Sequence, residues 1–349
     1  MLFCAHTDIN ECDLRSLYSL SLKHDLAPLV AYALEGFTIS DDEAKSAFSH
    51  QLKLSIYRRA LLDNDFDTAC SLFDKENIDY IPLKGAIIKD LYPQSYLRTS
   101  CDNDILIKSA DKDKAKALLS ENGFVIDNEK EKDISFISGS KMNTELHFSL
   151  VEQDSKYAYL LDNVWDNARR KNGNRYDLLP EFFVLYHIAH MATHMHDGGC
   201  GIRPFIDLYL YKTKIGYDEL AVKSQLDTLS DFYEAVTRLI SVWFENKEHT
   251  EVTSLLEEFI VSGGSYGTRE NMASAKQEKG RGKYILSRIF MPKASLAKIY
   301  PQIEKRPYLI PFYQVKRWFK LLNRETRSLA KSELKGSESK TNLFELINL

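Results

Sequence analysis

At 349 residues the chain is long for a single hydrophobic core, so two packed units with connecting helices are expected. Apolar residues make up 44% and aromatics 11%, which supplies a globular interior and excludes a chain disordered throughout. The net charge of −4 is unevenly spread, because residues 268–324 hold 14 Lys/Arg against 3 Asp/Glu and leave −15 on the remainder.

Such a basic stretch either meets a phosphate-bearing ligand or packs on an acidic neighbour; nucleic acid is a less favoured partner. The five cysteines, Cys4, Cys12, Cys70, Cys101 and Cys200, are odd in number and scattered, with no CxxC pair. Neither a disulfide framework nor a thiolate zinc site is indicated, and a reducing cytoplasm fits best. The N-terminus lacks a basic stretch followed by an unbroken apolar core, and no 18-residue apolar run follows, so neither a signal peptide nor a membrane span is expected.

In chain order, apolar residues recur at three and four over residues 12–77, which predicts an N-terminal helical region. At Ile78 the texture changes. "IDYIPL" reads as a strand ending at Lys84-Gly85, and "AIIKDLY" as a helix up to Pro93. "NDILIK" is the next strand, "ADKDKAKALLSENG" a helix, and "GFVIDN", "DISFISG" and "TELHFSL" three short strands. The expected fold class is therefore α+β: a small mixed sheet with flanking helices over residues 78–150, embedded in a largely α-helical chain. Residues 151–349 read as helical, from "KYAYLLDNVWDNARRK" onward, with a short interruption around Asn172 to Asp177. Prolines 292, 301, 307 and 311 cut the basic segment into short pieces. "VSGGSYGTRE" and "KQEKGRGK" are expected to be flexible loops, and the extreme C-terminus a loose end.

The chemistry-bearing stretch is "IPLKGAIIKDLYPQSYLRTSCDNDILIK", residues 81–108. Strand alternation places Asp102 and Asp104 on one face and Asn103 and Ile105 on the other. An isolated Asp-x-Asp before a strand is usually turn chemistry. Three neighbours weigh against that here: Lys84-Gly85 at a strand-to-helix junction suited to phosphate, the donor fork of Arg98, and a third carboxylate, Glu145, on a later strand. Like-charged carboxylates on one face favour a hard divalent cation between them, so Asp102, Asp104 and Glu145 are the expected metal ligands for metal-assisted phosphoryl transfer.

"LKGAIIKDLYP…LRTSCDNDILI", "TELHFSL" and "HMATHMHDGGCGIRPFIDLYLY" together resemble motifs of an uncharacterised bacterial nucleotidyltransferase family, a branch of the polymerase-beta-like superfamily. The resemblance covers roughly residues 50–325. It implies that Asp102 and Asp104 hold Mg²⁺ or Mn²⁺, that Glu145 is the third catalytic carboxylate, and that Gly85 opens the nucleotide-binding turn with Lys84 and Arg98 beside it. It further implies transfer of a nucleoside monophosphate from an NTP, ATP above others, to a hydroxyl acceptor. One departure stands out: Gly85-Ala86 replaces the superfamily's Gly-Ser, which leaves open a protein that binds a nucleotide or a partner without turnover.

Five of the nine histidines lie between residues 147 and 196. His187, His190 and His194 share one helix face at metal-ligand spacing, and the His196-Asp197 pair admits a rival reading as a metal-dependent phosphohydrolase. The favoured reading places His147, His190, His194, Arg203 and Asp207 on the substrate side of the cleft, with the domain from 151 to 349 facing the acceptor.

Overall fold

The computed structural model describes residues 13–37, 39, 41–151, 155–268, 271–272, 275, 290–320 and 338–349. The "KQEKGRGK" loop, residues 276–283, and much of the basic segment lie outside the described residues. The chain divides into two units: Met1–His190 with Ile202–Ser230, and Met191–Gly201 with Asp231–Leu349.

The first unit is built on a long helix and a sheet. Asp13 and Asp41 cap α1 (Leu14–Lys23) and α3 (Asp42–Lys75) by accepting from the first free backbone N–H groups, and α2 (Ala27–Ala33) lies between them. Along α3 the buried positions Phe48, Ser55, Arg59, Leu62, Phe66, Ala69 and Phe73 recur at helical spacing and form one continuous stripe. The sheet contains β1 (Tyr80–Pro82), β2 (Asp102–Ile107), β3 (Val125–Glu129), β4 (Asp133–Ile137), β5 (Asn143–His147), β6 (Ala168–Asn172) and β7 (Arg175–Leu178). Its strand order is β3-β4-β5-β2-β1-β7-β6. The pairs β2–β5 and β1–β7 are parallel and the others antiparallel, so the sheet is mixed.

One face of the sheet is the core of the unit. Ile105, Ile107, Ile134, Phe136 and Leu146 pack against Phe66, Ala69 and Phe73 of α3 and against Ala115 and Leu119 of α5 (Lys112–Glu121). Asn103 belongs to that face, donating from Nδ2 to the Leu62 carbonyl at 2.8 Å. Side-chain alternation then sends Asp102, Asp104, Glu145 and His147 to the opposite face. A short helix, α4 (Gly85–Ile88), follows β1 directly.

Two expectations are corrected in the region after residue 150. "KYAYLLDNVWDNARRK" is not a helix: it forms a 3₁₀ turn at Ala158–Leu160 and then β6, and the interruption at Asn172 to Asp177 is the end of β6, the hairpin turn and most of β7. Gly173-Asn174 supplies the turn between the paired Asn172 and Arg175, with Gly173 at φ 54, a conformation that favours glycine. The extreme C-terminus is also packed: helix Glu338–Leu346 buries Leu343 and Phe344, and the Phe344 ring lies edge-on to Phe259 at 5.4 Å.

The remaining helices are α6 (Pro180–His196), α7 (Arg203–Lys214), α8 (Glu219–Gln225), α9 (Ser230–Glu245) and α10 (Glu251–Gly263). In the second unit the "GGCG" stretch meets the first part of the expected "VSGGSYGTRE" loop at backbone contact. A Cβ on Gly267 would lie 2.6 Å from the Gly198 carbonyl carbon, so close packing explains these glycines over residues 261–268.

Candidate active site

The parallel register of β2 and β5 sets Asp104 opposite Glu145 and Asp102 opposite Asn143. His147, two residues beyond Glu145, shares its face, and its Nε2 lies 2.7 Å from Asp104 Oδ1 and 3.6 Å from Glu145 Oε2. Asp104, Glu145 and His147 present ligand atoms within 4.8 Å of one another, and among the described residues this is the group able to hold a metal ion. Two carboxylates and an imidazole suit a divalent cation, with the nitrogen donor tilting the preference from Mg²⁺ toward Mn²⁺. Asp102 adds a further carboxylate on the same face.

The positive charge nearest these groups is Lys84. Its Nζ is 3.2 Å from Asp104 Oδ1, and its charge also acts on the Tyr186 hydroxyl of α6. Burial opposes ionisation of Asp104, but Lys84 and His147 outweigh it and hold the carboxyl far below the usual carboxylate range. Asp102 has the opposite fate: burial and then the Asp104 charge push its carboxyl up to about 6, against a partial lowering by Lys84. Burial also works against the Lys84 charge, yet Asp104 more than restores it, so its pKa lies above the ordinary lysine value. Burial raises the Tyr186 hydroxyl to about 12, so it stays neutral and its oxygen is open to donation from Lys84.

Lys84 sits at φ 41 and ψ −112, a backbone conformation that L-residues rarely adopt. The contortion joins β1 to Gly85, which opens α4. Gly85 is required by close approach: a Cβ there would stand 2.5 Å from Arg98 Nη1 and 3.1 Å from Ser100 Oγ. Ala86 is buried behind it.

Arg98 is placed differently from the phosphate clamp that its sequence position suggests. Its fork is closed on Asp207, with Nε 3.1 Å from Oδ1 and Nη2 2.8 Å from Oδ2, and the Tyr92 hydroxyl donates to the same Oδ1 at 2.8 Å. The two side chains are 8% and 1% exposed, so this is a buried, bidentate ion pair linking the segment before β2 to α7, with Nη1 as the edge turned to Gly85. Burial disfavours both charges. Asp207 holds the Arg98 pKa above its ordinary value, and Arg98 holds Asp207 below its own.

Among the described residues, His147 is the histidine in the metal-capable group. His187 Nε2 meets the Pro204 carbonyl at 2.9 Å, and burial lowers its pKa, which makes it a packing contact between α6 and α7. His190 stands beside the Tyr186 ring, 6.1 Å between centroids. His194 falls in the second unit, and the His196 ring lies 5.8 Å from Phe344. Arg203 donates from Nη1 to the Thr99 carbonyl at 3.0 Å and hydroxyl at 3.2 Å. Sequence reasoning overlooked Tyr92 and Tyr186, which are separated from their partners by many residues, and Ser100, whose Oγ donates to the Asp102 carbonyl at 3.1 Å.

A mixed sheet whose central parallel pair carries carboxylates on one face, beside a strand-to-helix glycine turn, has the layout of a phosphoryl-transfer enzyme. The chain belongs to the family described as uncharacterised nucleotidyltransferase, whose model matches residues 10–245, and the protein is a nucleotidyltransferase. No curated protein matches the sequence. Among solved structures the chain is similar to the antibiotic-resistance factor ANT(2'')-Ia, at 10% identity and a TM-score of 0.36, over 50% of this chain and 93% of that one.

Proposed function

We propose that the protein transfers a nucleoside monophosphate from an NTP, ATP foremost, to a hydroxyl of a small-molecule or protein acceptor, with Mg²⁺ or Mn²⁺ held by Asp102, Asp104 and Glu145. The observation that carries this reading is the register pairing of Asp104 with Glu145, with Asp102 on the same face. His147 is close enough to serve as an added ligand or to orient Asp104. When bound, the cation neutralises charge on the phosphate oxygens.

The residues divide the work by position. The turn from β1 into α4 is assigned to the donor phosphates; the Ala86, Ile87 and Ile88 N–H groups there already donate to the Leu83 and Lys84 carbonyls, so the contact falls to the Lys84 side chain. Lys84 supplies the charge near the phosphate oxygens that Ala86, without a hydroxyl, does not assist. Glu145, half-buried and oriented by Asn143 Nδ2 at 3.2 Å, accepts the proton of the acceptor hydroxyl. The hydroxyl oxygen forms a bond to the α-phosphorus as the bond to the bridging oxygen breaks, and pyrophosphate leaves with that oxygen. His190 and Arg203 are assigned to the acceptor side.

The test is incubation with α-labelled NTPs, Mg²⁺ or Mn²⁺ and candidate hydroxyl compounds, reading pyrophosphate release. Release is expected to vanish in Asp102→Ala and Asp104→Ala, and release indifferent to both overturns the assignment. The Gly85-Ala86 departure favours one second reading, a protein that binds nucleotide without turnover; stabilisation by NTP with no release under any acceptor would establish it.

A further inference from the structure

Next to the segment that leads into β2, and sharing only Arg203 with the residues just assigned, the first unit contains a cavity of about 80 Å³. It is walled by α3 on one side and by residues 98–101 on the other, and four arginines line it: Arg58, Arg59, Arg98 and Arg203. Asp25 is the one carboxylate among the lining residues, 3.8 Å from Arg203. A single water needs roughly 10–15 Å³ of such space, so the cavity takes a compact group of several heavy atoms.

These guanidinium groups are unequally satisfied. Arg98 is committed to Asp207. Arg59, 6% exposed, reaches Asp63 at 3.6 Å, but Asp63 also holds Lys89, and burial together with nearby Arg98 lowers the Arg59 pKa. Arg203 Nε is buried without a hydrogen-bond partner. Arg58 is exposed at the rim and has no carboxylate partner among the described residues. A buried donor left unmade costs about 1–3 kcal/mol, and positive charges gathered round a small space repel unless an anion enters.

We infer that this arginine-lined cavity is an oxyanion subsite that binds a phosphate or diphosphate group, with Arg58, Arg59 and Arg203 as its charged contacts. Its wall is continuous with the active site. Arg98 touches Gly85 on one side and lines the cavity on the other, and Ser100 lies against both Asp102 and the cavity. The group is therefore either the terminal phosphates of the donor nucleotide or a phosphate carried by the acceptor. Only that choice of source rests on the proposed transfer reaction; the anion site stands on the cavity itself.

The experiment is calorimetric titration of the full chain, in chelator, with inorganic pyrophosphate and with inorganic phosphate. Arg58→Ala removes an exposed residue without a carboxylate partner, so an unchanged melting temperature is expected to verify its fold. It is expected to weaken pyrophosphate binding tenfold or more, with partial recovery in Arg58→Lys. A raised KM for ATP in the same variant assigns the subsite to the donor; an unchanged KM with weakened pyrophosphate binding assigns it to an acceptor phosphate. Asp104→Asn, in which turnover is expected to fail, should still bind pyrophosphate without metal, which separates this inference from the transfer reading. Affinities in Arg58→Ala within twofold of the native protein, or loss of pyrophosphate binding in Asp104→Asn, overturn it.

Discussion

Asp102 and Asp104 are two residues apart on one strand and titrate in opposite directions because of what stands between them. Lys84 and His147 both touch Asp104, whereas for Asp102 burial and its neighbour's charge outweigh the partial lowering by Lys84. Folding thus raises Asp102 from an ordinary 3.8 to about 6. A raised carboxyl favours the protonated folded state, so its contribution is full below pH 3.8 and is lost as pH climbs through 6. Asp102→Asn, neutral throughout, is expected to match the native protein near pH 3.5 and to exceed it at pH 8 in chelated buffer. At about 1.4 kcal/mol per pKa unit the gain is at most roughly 3 kcal/mol. Urea melts across pH check it, and a gain as large at pH 3.5 as at pH 8 would contradict the assignment. Lys84 combines two effects that substitutions can separate. Lys84→Ala removes the ammonium and keeps the disfavoured backbone, whereas Lys84→Gly removes both. The glycine variant is expected to be the more stable by about 1 kcal/mol, after the flexibility glycine adds to the unfolded chain. Paired chemical melts measure the difference.

At the scale of elements, β2, β5 and the turn into α4 were readable because their signals are local. Alternation alone assigns Asp102, Asp104 and Glu145 to side chains of strands, and the β2–β5 register then brings Asp104 and Glu145 together. Arg98 was readable as a fork but its target was not, because Asp207 lies 109 residues away and the pairing exists only once α7 packs. His147 follows Glu145 by the strand period, which is a signal for the same face that its assignment to the substrate side overlooked. Arg59 carried a signal too: it falls on the buried stripe of α3, four residues after Ser55 and three before Leu62, although the pair Arg58-Arg59 looks like a solvated face. The β6–β7 hairpin was missed since β6 is charged and mostly exposed and β7 is half-buried with charges at two of its four positions, so no apolar alternation marks them. The Gly85 turn and the Arg98–Asp207 pair also form a single mechanical unit. A methyl at residue 85 meets a guanidinium that Asp207 prevents from retreating, so Gly85→Ala is expected to cost about 1–3 kcal/mol and to depress transfer more than tenfold. A transfer assay alongside a melt distinguishes this from loss of fold.

For the whole molecule, length and composition anticipated more than one packed unit, but the boundaries follow contacts rather than the change in texture at residue 150. Two strands beyond that point complete the sheet, and α6 begins in the first unit and ends in the second. The C-terminal helix shows why a terminus resists reading from sequence. Five of the ten residues in "KTNLFELINL" are apolar, and Leu343, Phe344 and Ile347 fall at helical spacing, but the stretch is barely three turns long and follows a polar, charged run; Leu343, Phe344, Ile347 and Leu349 are all buried in the second unit. Phe344 fills the space between the Phe259 and His196 rings. Truncating a fully buried phenylalanine forfeits its transfer free energy and leaves a cavity, so Phe344→Ala is expected to destabilise the second unit by about 3–5 kcal/mol. Pyrophosphate binding in chelator resides in the first unit and should survive wherever that unit remains folded. Hydrogen exchange provides the measurement: amides of α10 should lose protection in Phe344→Ala while those of β2 and β5 keep theirs, and equal loss in both sets would mean that the units unfold as one.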